Sequence, residues 1–109
     1  MRFHLLTAVL AILLLTGSAF AQNAQLGGIV TDPSGALMPG VSITVTNMAT
    51  GVVSTTITNE SGAYTYPSLQ PGPSYQIRAS LPGFQTQTVS GLELPPTTVR
   101  QNFQMKLSA

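Results

Sequence analysis

The clearest pattern in the chain is a two-residue alternation of apolar and polar side chains. It occurs at residues 41–45, where serine and threonine separate the apolar residues, and again at residues 75–80. A period of two places one set of side chains on a buried sheet face and the other set in water. These two segments are therefore predicted to be half-buried β-strands.

Turn residues divide the rest of the chain into further short segments with strand character. Together with the two alternating segments they predict about seven strands, and the additional segments are 26–31, 52–58, 63–66, 84–90 and 99–107. The segment 84–90 is rich in glutamine and threonine, which favours an edge position. Strands at this spacing, without a helical pattern after residue 21, predict an all-β protein with an antiparallel β-sandwich.

Glycines mark positions where the backbone is expected to turn or to approach another segment. Asp32–Gly35 and Pro71–Pro73 are strong turn signals. Gly62 and Gly72 are predicted to lie in tight turns that need a positive φ or no Cβ atom. The pair Gly27–Gly28 predicts a bulge or a close backbone contact within the first strand.

The predicted hydrophobic core combines the alternating strands with the large side chains near the turns. Its members are Val41, Ile43, Val45, Tyr64, Leu69, Tyr75, Ile77, Phe84 and Phe103. We expect the nine residues to form one core. Most of the large apolar area comes from Tyr64, Tyr66, Leu69, Tyr75 and Phe84.

The first residues resemble a secretory signal peptide. A charged start that contains Arg2 precedes the apolar run 5–16, and Ala19-Phe20-Ala21 has the small-x-small pattern of a cleavage site. We expect a signal peptide at residues 1–21 and a single domain at 22–109, exported to the periplasm, the outer membrane or the exterior. An uncleaved anchor helix is the alternative. The absence of cysteine excludes a lipoprotein anchor and disulfides.

Charge gives no indication of a nucleic-acid or membrane-surface partner. The whole chain has a formal charge of +1, and Arg2 supplies that excess. Residues 22–109 balance three acidic against three basic side chains. A neutral domain lacks the basic patch that binds phosphate backbones or anionic lipids.

The candidate chemistry is sparse. His4 is the only histidine and there is no cysteine, so residues 22–109 cannot form a Ser-His-Asp or Cys-His system and lack the ligands that zinc prefers. Asp32, Glu60 and Glu93 are separated in sequence, and turn or surface roles are expected for them. The sequence predicts no enzyme activity, no cofactor and no metal site.

Motifs across most of the chain resemble one known family. They are Gly28–Asp32, Ser34–Ala36, Pro39–Val41, Val45–Asn47, Thr50–Gly51, Thr58–Tyr64, Leu69–Gly72, Tyr75–Ile77 and Pro82–Phe84. In this order they resemble the carboxypeptidase regulatory-like domain. The resemblance implies a transthyretin-like, or prealbumin-like, β-sandwich with seven antiparallel strands.

The resemblance also suggests a setting for the domain. Similar domains lie beside the catalytic domain of zinc carboxypeptidases, whose zinc site belongs to that other domain. They also occur directly after the signal peptide of TonB-dependent receptors, and this sequence is most similar to that kind. It departs from them because no plug or barrel follows Ala109. A free-standing relative and a receptor fragment both remain open.

The function predicted from these observations is a non-catalytic structural or interaction module. We expect a protein partner, or the remainder of an outer-membrane receptor, to dock on an apolar loop tip at Leu37 and Met38 or on a polar edge that includes Gln85 and Gln87. The alternative is a carbohydrate-binding module in which Tyr64, Tyr66 or Tyr75 stacks on sugar rings. Core packing is the favoured role of each tyrosine, with hydroxyls reaching the surface at most.

Overall fold

Two four-stranded β-sheets packed face to face make up most of the described part of the chain. The structure is a computed structural model and describes residues 22–108, so the predicted signal segment 1–21 lies outside it. Its strands are β1 Ala24–Thr31, β2 Ser42–Asn47, β3 Val53–Ile57, β4 Ala63–Leu69, β5 Gly72–Ser80, β6 Phe84–Gln85, β7 Gln87–Leu94, β8 Thr98–Arg100, β9 Phe103–Gln104 and β10 Lys106–Leu107. The all-β prediction is confirmed. Nowhere in residues 22–108 is there a helix long and apolar enough to cross a membrane.

The first sheet is built around β1 and the second around β2 and β5. The first has the order β4-β1-β8, and β9 also pairs with β1. The second has the order β3-β2-β5-β7, and β6 forms a small separate pair with β10. Most pairs are antiparallel, as predicted, but β1 runs parallel to both β8 and β9.

Two segments predicted as continuous strands are divided in the structure. At Thr86 the chain changes partner, because β6 pairs with β10 whereas β7 pairs with β5. The final segment divides in the same way: β8 and β9 pair with β1, and β10 pairs with β6. The ten strands described between residues 22 and 108 therefore replace the seven that the sequence pattern suggested. The predicted edge position holds for β7, which is the outermost strand of its sheet.

The core lies between the two sheets, and the alternation in β2 and β5 points the predicted residues into it. Of the nine predicted members, seven are buried and two, Leu69 and Phe84, are partly buried against the same cluster. Seven further buried side chains were not predicted, namely Ala24, Leu26, Val30, Met38, Ala79, Leu94 and Met105. Tyr66, for which core packing was the favoured role, is buried in the same cluster. Tyr64 and Phe103 pack with ring centroids 6.4 Å apart, in a tilted arrangement.

Gly28 and Gly62 fulfil the predictions made for them, whereas Gly72 does not. A Cβ atom on Gly28 would lie 2.0 Å from the carbonyl oxygen of Gln101, so the backbones meet there as predicted. Gly62 has a φ of 70° and sits against the carbonyl oxygen of Val30. The prediction for Gly72 is wrong: it lies in β5 with open space around it, and Ser74 is the residue there with positive φ, at 66°.

Candidate binding surfaces

The three tyrosines face the interior, and each hydroxyl binds a backbone carbonyl. Tyr64 donates to the oxygen of Gln101 and Tyr75 to that of Gln70. The Tyr66 hydroxyl lies 2.9 Å from two carbonyl oxygens, those of Ile43 and Ser54, so it ties β4 to the opposite sheet. All three rings are at most 8% exposed. Core packing, the favoured role, is what the structure gives to Tyr64 and Tyr66, and neither offers a ring face to a sugar.

Burial also favours the neutral form of the Tyr64 and Tyr66 phenols. Desolvation, with a smaller effect of neighbouring Tyr66, raises the pKa of Tyr64 well above its usual value of 10.0. Desolvation likewise raises the pKa of Tyr66 to about 12, although a backbone hydrogen bond opposes the change. Both groups therefore remain hydrogen-bond donors at physiological pH, which fits a structural role.

The loop between β1 and β2 begins with a turn that the side chain of Asp32 stabilises. Its Oδ1 atom accepts hydrogen bonds from the hydroxyl and N–H of Ser34 and from the N–H of Ala36. These bonds, with that from the Ser34 hydroxyl having the largest effect, lower the pKa of the Asp32 carboxyl. The carboxylate is thus engaged within its own turn, as the sequence predicted for it.

The predicted apolar tip is only half correct, because neighbouring side chains in the loop point in different directions. Leu37 is 52% exposed, which leaves it available to a partner. Met38 is 8% exposed and belongs to the core. Its N–H donates to the oxygen of Val30, and its own oxygen accepts from the hydroxyl of Thr58. These bonds fix Met38 in the interior, so the expectation that it forms part of an exposed tip is wrong.

The predicted polar edge is divided between two sheets. Gln85 is exposed in β6, and its side-chain amide donates to the oxygen of Leu107 at 3.1 Å. Gln87 is half-buried at the start of β7, where it pairs with Ala79. Because Ala79 also pairs with Ile43, near the start of β2, this region lies at the end of the sandwich to which the β1–β2 loop leads. The structure therefore brings Leu37, Gln85 and Gln87 to one end.

A groove that was not predicted runs along the outer face of the first sheet. It measures about 300 Å³ and passes over Gly27, which has no side chain between its neighbours Thr65 and Arg100 on the adjacent strands. Gln25 and Ile29 close its ends. Arg100 is exposed and gives the groove its only charged lining residue. The glycine pair in β1 was the signal that could have indicated it.

A second missed feature is the distribution of exposed apolar side chains. Val52, Val53 and Ile57 are each between 58% and 63% exposed, and Met48 in the preceding turn is 58% exposed. The β-branched residues of this segment predicted a strand, but not the face to which they would point. In β3 the polar residues Ser54 and Thr56 are the less exposed ones.

Side chains suited to bind a metal do not converge in the described region. No group of three histidine, cysteine or acidic side chains suited to a metal occurs within residues 22–108. Buried side-chain nitrogen and oxygen atoms in this part of the chain all have hydrogen-bond partners. The polar atoms of the interior thus serve to hold the fold together.

The fold and these surfaces define a transthyretin-like β-sandwich module. The sequence model of the carboxypeptidase regulatory-like domain matches residues 25–106. The chain therefore belongs to the carboxypeptidase regulatory-like domain family, and the resemblance seen in the sequence is confirmed.

Solved structures share this fold in proteins of different kinds. Hydroxyquinol 1,2-dioxygenase from Pseudomonas putida is 11% identical with a TM-score of 0.65, over 84% of this chain and 58% of that one. A proposed carbohydrate-binding protein from Bacteroides uniformis is 19% identical with a TM-score of 0.63, over 76% of this chain and 41% of that one. 5-Hydroxyisourate hydrolase from Klebsiella pneumoniae is 16% identical with a TM-score of 0.63, over 83% of this chain and 91% of that one.

These similarities establish the fold and leave the activity open. The chain spans about half the length of the dioxygenase and carbohydrate-binding chains, and all three identities are below 20%. No curated protein sequence matches the chain. Because one fold hosts many functions, the function has to be argued from the surfaces.

Proposed function

We propose that this chain is a non-catalytic binding module, exported to the bacterial outer membrane, where it contacts a protein partner or the remainder of a receptor. Membership of a regulatory-like domain family supports this proposal. The residue types support it too, because residues 22–109 contain no histidine or cysteine for nucleophilic or general acid–base chemistry.

The observation that carries the proposal is that the exposed Leu37 and Gln85 and the half-buried Gln87 lie at one end of the sandwich. Leu37 offers an apolar contact, and Gln85 and Gln87 offer amide groups at the same end. An apolar anchor surrounded by hydrogen-bonding groups is the usual composition of a protein interface. Lys106, exposed and paired with Gln85, adds a positive charge to this surface.

Site-specific photo-cross-linking tests this surface in cells. A photoreactive amino acid is placed at Leu37 or at Gln87, and at Ser68 as the control. Ser68 is an exposed residue near the far end of β4, next to the residue that pairs with the start of β1. We expect the first two positions to yield a covalent product with the same envelope protein and the control to yield none. Equal products from all three positions, or no product, would exclude this surface.

Export is tested separately. We expect the N-terminus of the protein recovered from the cell envelope to be Gln22, because the predicted cleavage follows Ala21. A mature protein that retains Met1 would rule out the cleaved signal peptide and favour the anchor helix.

Glycan binding is the second candidate function, and the groove over Gly27 is the observation that favours it. Thr65 and Arg100 can donate hydrogen bonds to sugar hydroxyl or carboxylate groups there. The buried tyrosines weigh against this candidate because no ring face of theirs is free for stacking. Retention of the protein on a polysaccharide column, and its loss in Arg100→Ala but not in Arg78→Ala, would establish glycan binding in place of the protein partner.

A further inference from the structure

The outer edge of β3 is a regular strand without the features that normally prevent pairing. Within residues 22–108 its one partner is β2, through five consecutive residue pairs without a register shift. Edge strands are usually protected by charge, proline or bulges. Another edge strand, β4, contains Pro67, and β7 contains Glu93 and has an irregular register. The sequence of β3, Val-Ser-Thr-Thr-Ile, has no such protection.

The hydrogen bonds to β2 determine which backbone groups of β3 point outward. Bonds at the two ends of this ladder are Asn47 N–H to Val52 O and Thr58 N–H to Val41 O, both 2.9 Å. Hydrogen-bonded and non-hydrogen-bonded pairs alternate along an antiparallel ladder. The N–H and C=O groups of Val53, Thr55 and Ile57 therefore point away from β2, toward the open edge.

The same three residues present their side chains on the outer face of the sheet. Val53 is 58% exposed and Ile57 is 63% exposed, with Thr55 between them. An apolar strand that is exposed on its face and open at its edge favours the addition of another strand. Because β3 lies at the edge of its sheet, such pairing would leave the core unchanged.

We propose that β3 pairs with β3 of a second copy of this chain, antiparallel, about a twofold axis through Thr55. In this register Thr55 lies opposite Thr55 of the second copy, and Val53 lies opposite Ile57 of the second copy. The outward-pointing backbone groups are those of residues 53, 55 and 57, so each of these pairs exchanges two N–H···O bonds. The two four-stranded sheets become one continuous sheet.

The absence of charge on β3 and its symmetric side-chain pattern point to a second copy as the partner. A twofold interface places the same surface on both sides, so any charge on β3 would face a like charge. The chain carries no charged residue from Pro33 to Asn59, which removes that repulsion. The twofold register also places apolar side chains opposite apolar side chains, and a β-branched residue opposite a β-branched residue on the axis.

The small size of the contact makes the dimer weak. Five residues span about 17 Å of strand, and the area buried falls well below the roughly 1,200 Å² of a stable interface. We expect a dissociation constant on the order of 0.1 mM. The contact therefore forms where copies are concentrated.

A charge-swap experiment tests both the contact and its register. Val53→Lys with Ile57→Lys places lysine opposite lysine, whereas Val53→Lys with Ile57→Glu places lysine opposite glutamate. Both positions are exposed, so both double variants are expected to keep the unfolding midpoint of the unsubstituted protein, which urea titration checks. Sedimentation analysis of the exported protein should show dimerisation weakened more than about tenfold by the first pair and changed less than about threefold by the second. The N-terminal residues are the same in all samples, so association through them would not respond to the swap.

Two outcomes would overturn the proposal. One is a monomer for the unsubstituted protein up to about 1 mM, well above the expected dissociation constant. The other is equal dimerisation by the two double variants, which would mean that β3 is not paired in this register.

Cross-linking provides a second test, because the native chain contains no cysteine. Thr55→Cys should be joined to itself by a short bismaleimide, since the two copies of this residue lie about 5.5 Å apart in the proposed pair. Thr88→Cys, exposed on the opposite edge strand of the same sheet, is the matched control. Equal cross-linking at both positions would contradict pairing through β3.

Discussion

Replacement of Gly28 by alanine is the sharpest test of the fold, because the contact involved is between backbones. A Cβ atom at this position would lie 2.0 Å from the carbonyl oxygen and 2.7 Å from the carbonyl carbon of Gln101. Separations under 3.0 Å essentially never occur for a real Cβ, so one segment has to move by about 1 Å. The Tyr64 ring, 2.9 Å from the same position, blocks part of that movement.

The expected cost of Gly28→Ala follows from the contacts that such a shift would disturb. Gln101 donates its N–H to the oxygen of Gly27, accepts from the hydroxyl of Tyr64, and precedes Asn102, whose side chain binds the N–H of Ile29. Overpacking costs about 1–3 kcal/mol, and each hydrogen bond lost adds about 0.5–1.5 kcal/mol. We therefore expect the free energy of unfolding to fall by about 2–5 kcal/mol.

Gly72→Ala is the matched control, since it makes the same chemical change in a strand. Nothing lies within 4 Å of a Cβ atom at Gly72, and its φ is not positive. The reduced entropy of the unfolded chain should then stabilise the protein by up to about 1 kcal/mol. Urea unfolding followed by circular dichroism measures both variants. Free energies of unfolding within about 0.5 kcal/mol of each other would refute the close approach of β1 and the β8–β9 connection.

The remaining predictions concern the core, the tyrosines, the loop and metal dependence. Ile43→Ala or Ile77→Ala should each lower the free energy of unfolding by about 2–5 kcal/mol, and losses below about 0.5 kcal/mol at both sites would mean that these strands face the other way. Tyr66→Phe removes a buried hydroxyl bond and should cost about 1–3 kcal/mol. The pKa of Tyr66 in the folded protein, about 12, exceeds the usual 10.0. The contribution of Tyr66 to the free energy of unfolding should therefore be fully present below pH 10 and fall as the pH rises from 10 toward 12. The decline should be shallower in Tyr66→Phe, and an unchanged slope would contradict this assignment. Met38→Ser should lower the urea midpoint clearly while Leu37→Ser leaves it nearly unchanged, since only the first is buried, and equal effects would refute the corrected loop. Unfolding midpoints with and without a chelator should coincide, and a downward shift with chelator would reveal a metal site.

Local patterns were sufficient to predict the strands that alternate and the turns that bind their own side chains. In residues 41–45 and 75–79 every second residue is apolar, so the buried face follows from the period alone. Asp32 and Asn59 each accept hydrogen bonds from the backbone of their own turn, which makes those turns predictable from a few residues. The close approach at Gly28 was also predictable, because a glycine within a strand commonly marks such a contact.

Other features depended on segments far away in the chain. Leu37 and Met38 are both apolar neighbours, and only the bonds of Met38 to Val30 and Thr58 decide that Met38 is the buried one. In β3 one face carries Val53, Thr55 and Ile57 and the other carries Ser54 and Thr56, and this pattern is compatible with either face being buried. Pairing with β2 at the edge of the sheet turns the two apolar residues to the outside.

The sequence by itself determined the fold class, the family and about half of the buried core, because each rests on local periodicity or on motifs in a fixed order. Only the tertiary structure decided which surfaces are available for binding. The tyrosine hydroxyls find their acceptors in carbonyl groups up to 37 residues away, and that removes the rings from the surface. The open edge of β3 likewise exists because β3 is last in the sheet order, a property of strand topology that no pattern along the chain contains.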